Sequence, residues 1–109
     1  MSREETLQRK HDLPEYWQVL GERLRQDEKW GVQNHDDWKW LAIMMEELGE
    51  AAQALMQAYE EGGDPARVRK EVLETTAVGV AWLECMRRRS TLEVTAPDDK
   101  TPPSTAQEM

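Results

Sequence analysis

The sequence predicts an all-α protein, an antiparallel helical bundle of about three helices per chain, completed by oligomerisation. Three observations carry that reading. Apolar residues recur at helical spacing in three long segments. Helix-starting chemistry stands at Asp12-Leu13-Pro14 and again at Asp64-Pro65. At 109 residues the chain is one small domain, which buries a modest fraction of its surface and gains stability from self-association. Residues 1–89 are expected to form the domain and residues 90–109 a disordered tail.

Taken in order, residues 1–12 are polar and expected to be frayed or weakly helical. The first long helix is expected from Pro14 to about Lys29, with Tyr16, Trp17, Leu20 and Leu24 as the stripe it lays on the bundle. From Trp30 to Trp40 the pattern has no clear period, and Gly31, Asn34, Asp36 and Asp37 supply turn chemistry. Asp36 or Asp37 is a natural N-cap for the next helix. Three tryptophans and a histidine in this stretch suit a pocket that stacks a planar ring, or equally a cap over the end of a bundle.

The second long helix is expected from about Trp38 to Glu61. Met44, Leu48, Ala51 and Leu55 form one stripe, widened by Leu41, Met45, Ala52 and Tyr59. At about 100° per residue, Glu47 falls between Ala51 and Ala54, Glu50 beside Ile43, and Glu46 on the side of Gln53 and Gln57. Gly62, Asp64 and Pro65 then end one helix and start another, and so short a connection makes the two antiparallel neighbours. The third helix is expected from Pro65 to about Arg89. Thr75 to Leu83 carries no charge and is expected to be buried all round, while Arg87, Arg88 and Arg89 complement the C-terminal dipole or help neutralise a polyphosphate. The tail contains Pro97, Pro102 and Pro103 among Ser, Thr and Asp, with no hydrophobic period.

Composition narrows the function classes. A net charge of −8 argues against a nucleic-acid duplex or an anionic membrane as the main partner and suits a protein that gathers divalent cations. No apolar run approaches the roughly 20 residues needed to span a bilayer. The N-terminus has no apolar signal-like region, so the expected location is cytoplasmic. The single cysteine, Cys85, is read as a small buried thiol rather than a nucleophile.

The chemistry-bearing residues are two carboxylate clusters inside runs that otherwise read as buried helix, Glu46-Glu47-Leu48-Gly49-Glu50 and Glu71-Val72-Leu73-Glu74. Carboxylates three residues apart share a helix face. Two such pairs on antiparallel helices can supply four oxygen ligands to one site, which is hard-ligand chemistry suited to Mg²⁺ or Mn²⁺. Without a cation they repel, and some take up protons. The competing reading is a set of ordinary solvated glutamates, strongest for Glu46 and weakest for Glu47 and Glu71. A di-iron carboxylate site needs Glu-x-x-His on two helices, and neither His11 nor His35 fits.

The paired clusters, a gap of twenty residues apart, resemble the EExxE and ExxD signature of the MazG-like all-α nucleoside triphosphate pyrophosphohydrolases. The similarity runs from about Trp30 to Cys85, and Lys29 to His35 is also similar to short, single-domain members such as those carried by phages. The resemblance implies a helical bundle, a homodimer or homotetramer, binding Mg²⁺ and splitting a nucleoside triphosphate into a monophosphate and pyrophosphate. It places Glu47, Glu50, Glu71 and Glu74 as metal ligands, with Glu46 and Glu47 in the catalytic role. Glu46 is the extra glutamate, holding a second cation or orienting water. Trp30, Asn34, His35, Trp38, Lys39 and Trp40 are the candidate substrate-binding residues, and Lys39, Arg67 and Lys70 possible phosphate partners. One position departs from the signature, Glu74 standing where it has Asp. A member that binds nucleotide without hydrolysing it, or an interaction module with vestigial carboxylates, is the alternative.

Overall fold

The structure, a computed structural model, describes residues 1–60 and 62–92. Within them the regular elements are four helices: α1 (Arg3–His11), α2 (Pro14–Trp30), α3 (Asp37–Glu60) and α4 (Pro65–Leu92). The all-α expectation holds, but the helices number four rather than about three. The additional one, α1, lies in the segment expected to be frayed or weakly helical. Local chemistry accounts for it: the Glu5 N–H donates to Ser2 Oγ and the Ser2 N–H to Glu5 Oε1, each at 3.1 Å. Acidic residues occupy its first turn and Arg9, Lys10 and His11 its last, and none of its residues is buried.

The longer helices start and stop close to where their caps predict. Gly31, at φ 75°, closes α2, a conformation that side-chain-bearing residues rarely adopt. Asp36 Oδ1 accepts the Lys39 N–H at 2.8 Å and so caps α3. Gly62 takes a left-handed φ of 68°, and the Gly63 N–H donates to the Gln57 carbonyl at 2.8 Å. Asp64 Oδ1 then accepts the Ala66 N–H at 2.9 Å ahead of α4. Because α4 continues to Leu92, the expected tail begins inside a helix, and residues 93–109 lie outside the described residues.

α4 is the central element, packing chiefly on α3 and secondarily on α2. Trp40 and Ile43 from α3 and Val78, Ala81 and Cys85 from α4 form the core, with Met44 and Trp82 against it. Ala51, Ala54 and Ala77 are also buried, and their small side chains let the two helices approach. Cys85 is the buried thiol expected of it. α2 attaches by a different chemistry. Arg23, only 7% exposed, donates to Glu84 Oε1 from Nε at 3.1 Å and from Nη2 at 2.5 Å. It also donates to Asp27 Oδ1 at 2.9 Å and to Gln26 Oε1 at 3.0 Å. A buried guanidinium costs little once its donors are met in this way.

The apolar stripes correct the expectation. Tyr16, Trp17, Leu20 and Leu24 are not the buried face of α2; all four are exposed, and the buried residues of that helix are Arg23 and Gln26. On α3, Leu41, Met45, Leu48, Leu55 and Tyr59 are exposed as well, Leu48 by 60% and Tyr59 by 83%. Thr75 to Leu83 is not buried all round, since Thr76 and Leu83 face outward. The reason is a shortage of neighbours. With α4 as its main partner, α3 covers only the face of Trp40, Ile43, Glu47, Ala51 and Ala54.

Candidate metal centre

The α3 face turned toward α4 carries Glu47 among apolar and small residues, and α4 carries Glu71 and Glu74 one turn apart. The structure brings Glu47, Glu50, Glu71 and Glu74 together, each offering a carboxylate oxygen within 4.8 Å of the others. These are the four residues the sequence nominated. Glu47 is 9% exposed and Glu71 7%; Glu74 is half-buried and Glu50 exposed. The group is thus sealed on one side and open on the other.

Electrostatics marks the two buried members. Burial, followed by the charges of Glu50, Glu74 and Glu71, pushes the Glu47 carboxyl up to about 7. Glu71 is raised for the same reasons, burial first and then Glu74 and Glu50. Glu47 Oε2 and Glu71 Oε2 are buried with no hydrogen-bond partner. A buried carboxylate oxygen without a donor is costly, and two facing one cluster match what a hard cation would satisfy. The donor set therefore fits a small divalent ion.

Basic side chains line the open side. Lys70 Nζ lies 3.1 Å from Glu74 Oε1, and Arg67 Nε lies 3.9 Å from Glu71 Oε1 while Nη1 donates to Gln57. From α2, Arg25 holds Glu22 through two hydrogen bonds, Nε to Oε1 at 2.8 Å and Nη2 to Oε2 at 2.6 Å. Its Nη2 is also 3.8 Å from Glu74 Oε1. Sequence reasoning missed both Glu22 and Arg25. Their i, i+3 spacing on α2 was visible, but nothing in it told that α2 crosses the carboxylates.

The remaining nominated residues are placed apart from the four. Glu46 is half-buried and lies outside the four-carboxylate group. Trp40, nominated for ring stacking, is 1% exposed and belongs to the core, where His35 meets it edge-on at 4.9 Å. Trp30 and Trp38 are exposed, with Lys29 Nζ 4.9 Å over the Trp30 ring. Lys39 is half-buried at the start of α3. Arg88 donates to Asn34 Oδ1 and to the Gln33 carbonyl, both at 3.0 Å, and Arg89 donates to the His35 carbonyl at 2.9 Å and to Asp37 Oδ1 at 3.2 Å. Arg88 and Arg89 thus fasten the 31–36 connection to the end of α4, and Arg89 stands in the last turn of that helix, where the dipole expectation put it.

Comparison of the chain with protein-family models, curated proteins and solved structures found no significant match.

Proposed function

We propose that this chain is a Mg²⁺-dependent nucleoside triphosphate pyrophosphohydrolase, cytoplasmic and active in nucleotide-pool housecleaning. The observation that carries the reading is the pair of buried, partnerless oxygens, Glu47 Oε2 and Glu71 Oε2, within a convergent group of four carboxylates. Glu47, Glu50, Glu71 and Glu74 hold the ion, and Mn²⁺ can replace it. A cation held there would neutralise phosphate charge and lower the pKa of a bound water, the chemistry that hydrolysis between the α and β phosphates needs. Glu46 and Glu47 are the carboxylates assigned to orient the attacking water and accept its proton. The core on one side of the carboxylates excludes solvent, and the open side admits the phosphate chain.

The base end of the ligand is assigned to the 30–40 segment. The His35 carbonyl lies 3.5 Å from Cys85 Sγ, three turns of α4 beyond Glu74 and therefore about 16 Å along the helix. That separation suits a nucleotide whose triphosphate lies at the carboxylates. Trp30, Trp38, Asn34, His35 and Lys39 are the residues assigned to it, and Trp40 packs edge-on against His35. The exposed stripes on α2 and α3 favour a homodimer or homotetramer, because large apolar side chains at spacings of three and four form a seam that another helix covers.

The same stripes favour a second reading, an interaction module whose carboxylates are vestigial. Purified protein with Mg²⁺ is tested against a panel of canonical and modified triphosphates, alongside Glu47→Gln. The hydrolase reading expects pyrophosphate from at least one nucleotide and none from the variant. No release from any triphosphate, with a melting temperature indifferent to Mg²⁺ and Mn²⁺, sinks it in favour of the module.

A further inference from the structure

The cations around the carboxylates are arranged as more than counter-ions. Glu22, Glu47, Glu50, Glu71 and Glu74 stand among Arg25, Arg67 and Lys70; with all of them ionised, five acids and three bases carry −2, which one divalent ion would neutralise. A site neutralised in this way still has to attract a polyanion, and the group placed to do so is on α2. The Glu22 side chain is 9% exposed and grips Arg25 in a two-bond fork. That fork uses Nε and one edge of Nη2, and leaves the Nη1 edge of a guanidinium that is itself about half exposed. Arg25 Nη2 also lies 3.8 Å from Glu74, a cluster member that a bound cation would recruit.

We propose that Arg25 is a phosphate-binding residue of this site, with Glu22 as the positioning residue that aims it and Lys70 as the adjoining cation. The ligand class is a pyrophosphate or polyphosphate chain laid between the cation-loaded carboxylates and the basic rim. The inference rests on the hydrolase reading for the nature of the ligand, but its geometry stands on α2. A planar fork suits it, because a guanidinium already oriented by one anion loses little freedom on meeting a second. When a cation draws Glu74 inward, the weak Arg25–Glu74 attraction is given up and the fork to Glu22 keeps the guanidinium at the rim.

The test separates metal from phosphate. Mn²⁺ binding is measured first by loss of the free-ion electron paramagnetic resonance signal. Inorganic pyrophosphate is then titrated calorimetrically into the Mn²⁺-loaded protein, for wild type, Arg25→Ala, Arg25→Lys and Glu22→Gln. Arg25→Ala is expected to bind Mn²⁺ at least as tightly as wild type and to bind pyrophosphate about tenfold to a hundredfold more weakly. Arg25→Lys recovers part of the loss, and Glu22→Gln falls between, which a merely structural role for Glu22 does not produce. If Arg25→Ala tightens Mn²⁺ binding and leaves pyrophosphate affinity at the wild-type value, Arg25 is a counter-ion only and the proposal is overturned, with the metal reading intact. If wild type binds no Mn²⁺, the metal reading fails and the proposal falls with it, because the phosphate chain is laid against cation-loaded carboxylates. A wild type that binds neither overturns both.

Discussion

Replacing Glu47 with glutamine is expected to stabilise the metal-free protein at alkaline pH while removing its response to metal. The Glu47 carboxyl stands at about 7 against an ordinary 4.5, because burial and three neighbouring carboxylates disfavour its charge. Between those two values the native state holds a proton that the unfolded chain has released. Native stability therefore falls as pH rises from about 4.5 to about 7, and levels off above. At about 1.36 kcal/mol per pH unit, the full effect is on the order of 3 kcal/mol, and about 2 kcal/mol of it falls between pH 5 and pH 8 once solvent at the open side is allowed for. Glutamine cannot lose that proton. The assay is urea unfolding of both proteins in EDTA at pH 5 and pH 8, at one protein concentration. Any fixed cost of burying the amide is common to both pH values and cancels, so the change in the mutant-minus-wild-type difference isolates the titration. A difference equal at the two pH values refutes the reasoning and makes Glu47 an ordinary solvated acid. With Mg²⁺ or Mn²⁺ present the ordering reverses, since an ion that binds only the native state at a hundred times its Kd adds about 2.7 kcal/mol to wild type and nothing to the variant.

Two further outcomes follow from packing. Trp40→Ala, which empties a fully buried core position, is expected to cost about 3–5 kcal/mol in chemical denaturation, whereas Trp38→Ala at an exposed position costs less than about 1 kcal/mol. Leu48→Glu, at the middle of the exposed α3 stripe, is expected to shift a sedimentation profile from oligomer to monomer while retaining far-ultraviolet helicity; an unchanged sedimentation coefficient removes the stripe from the interface.

The helices were legible because their signals are local. Pro14, Gly31, Asp36, Gly62, Asp64 and Pro65 act on their own turns, and each cap operates where the sequence places it. Even α1, expected to be frayed or weakly helical for lack of an apolar stripe, was written locally, in Ser2 and Glu5. What helical spacing could not say is which stripe meets a neighbour. Two faces of α3 are apolar or small, and the chain covers the one with Ala51 and Ala54, where close approach to α4 is possible, leaving Leu48 and Leu55 outward. The same limit misplaced Trp40. Its register puts it with Ile43 in the core, and a tryptophan count in a loop-like segment is blind to register. The four carboxylates were found because their oddity is a mismatch between charge and surrounding sequence. Arg25 has no such mismatch and emerges only once α2 is docked.

Glu74 joins these strands. The signature this chain resembles has an aspartate at that position, and an aspartate's carboxylate ends about 1.5 Å nearer the α4 backbone. Here Glu74, with its extra methylene, offers an oxygen within 4.8 Å of those of the other three carboxylates, and its Oε1 lies 3.1 Å from Lys70 and 3.8 Å from Arg25. The longer acid therefore belongs to two groups at once, the carboxylates that face inward and the basic rim that faces out. Buried Glu71, on the same α4 face one turn away, has Arg67 at 3.9 Å but an oxygen without a partner, so it is committed to the interior. Glu74 is the member free to exchange cationic side chains for a metal ion. On the proposed reading that exchange would free Arg25 and Lys70 for phosphate, which would put the one departure from the signature where metal and ligand meet.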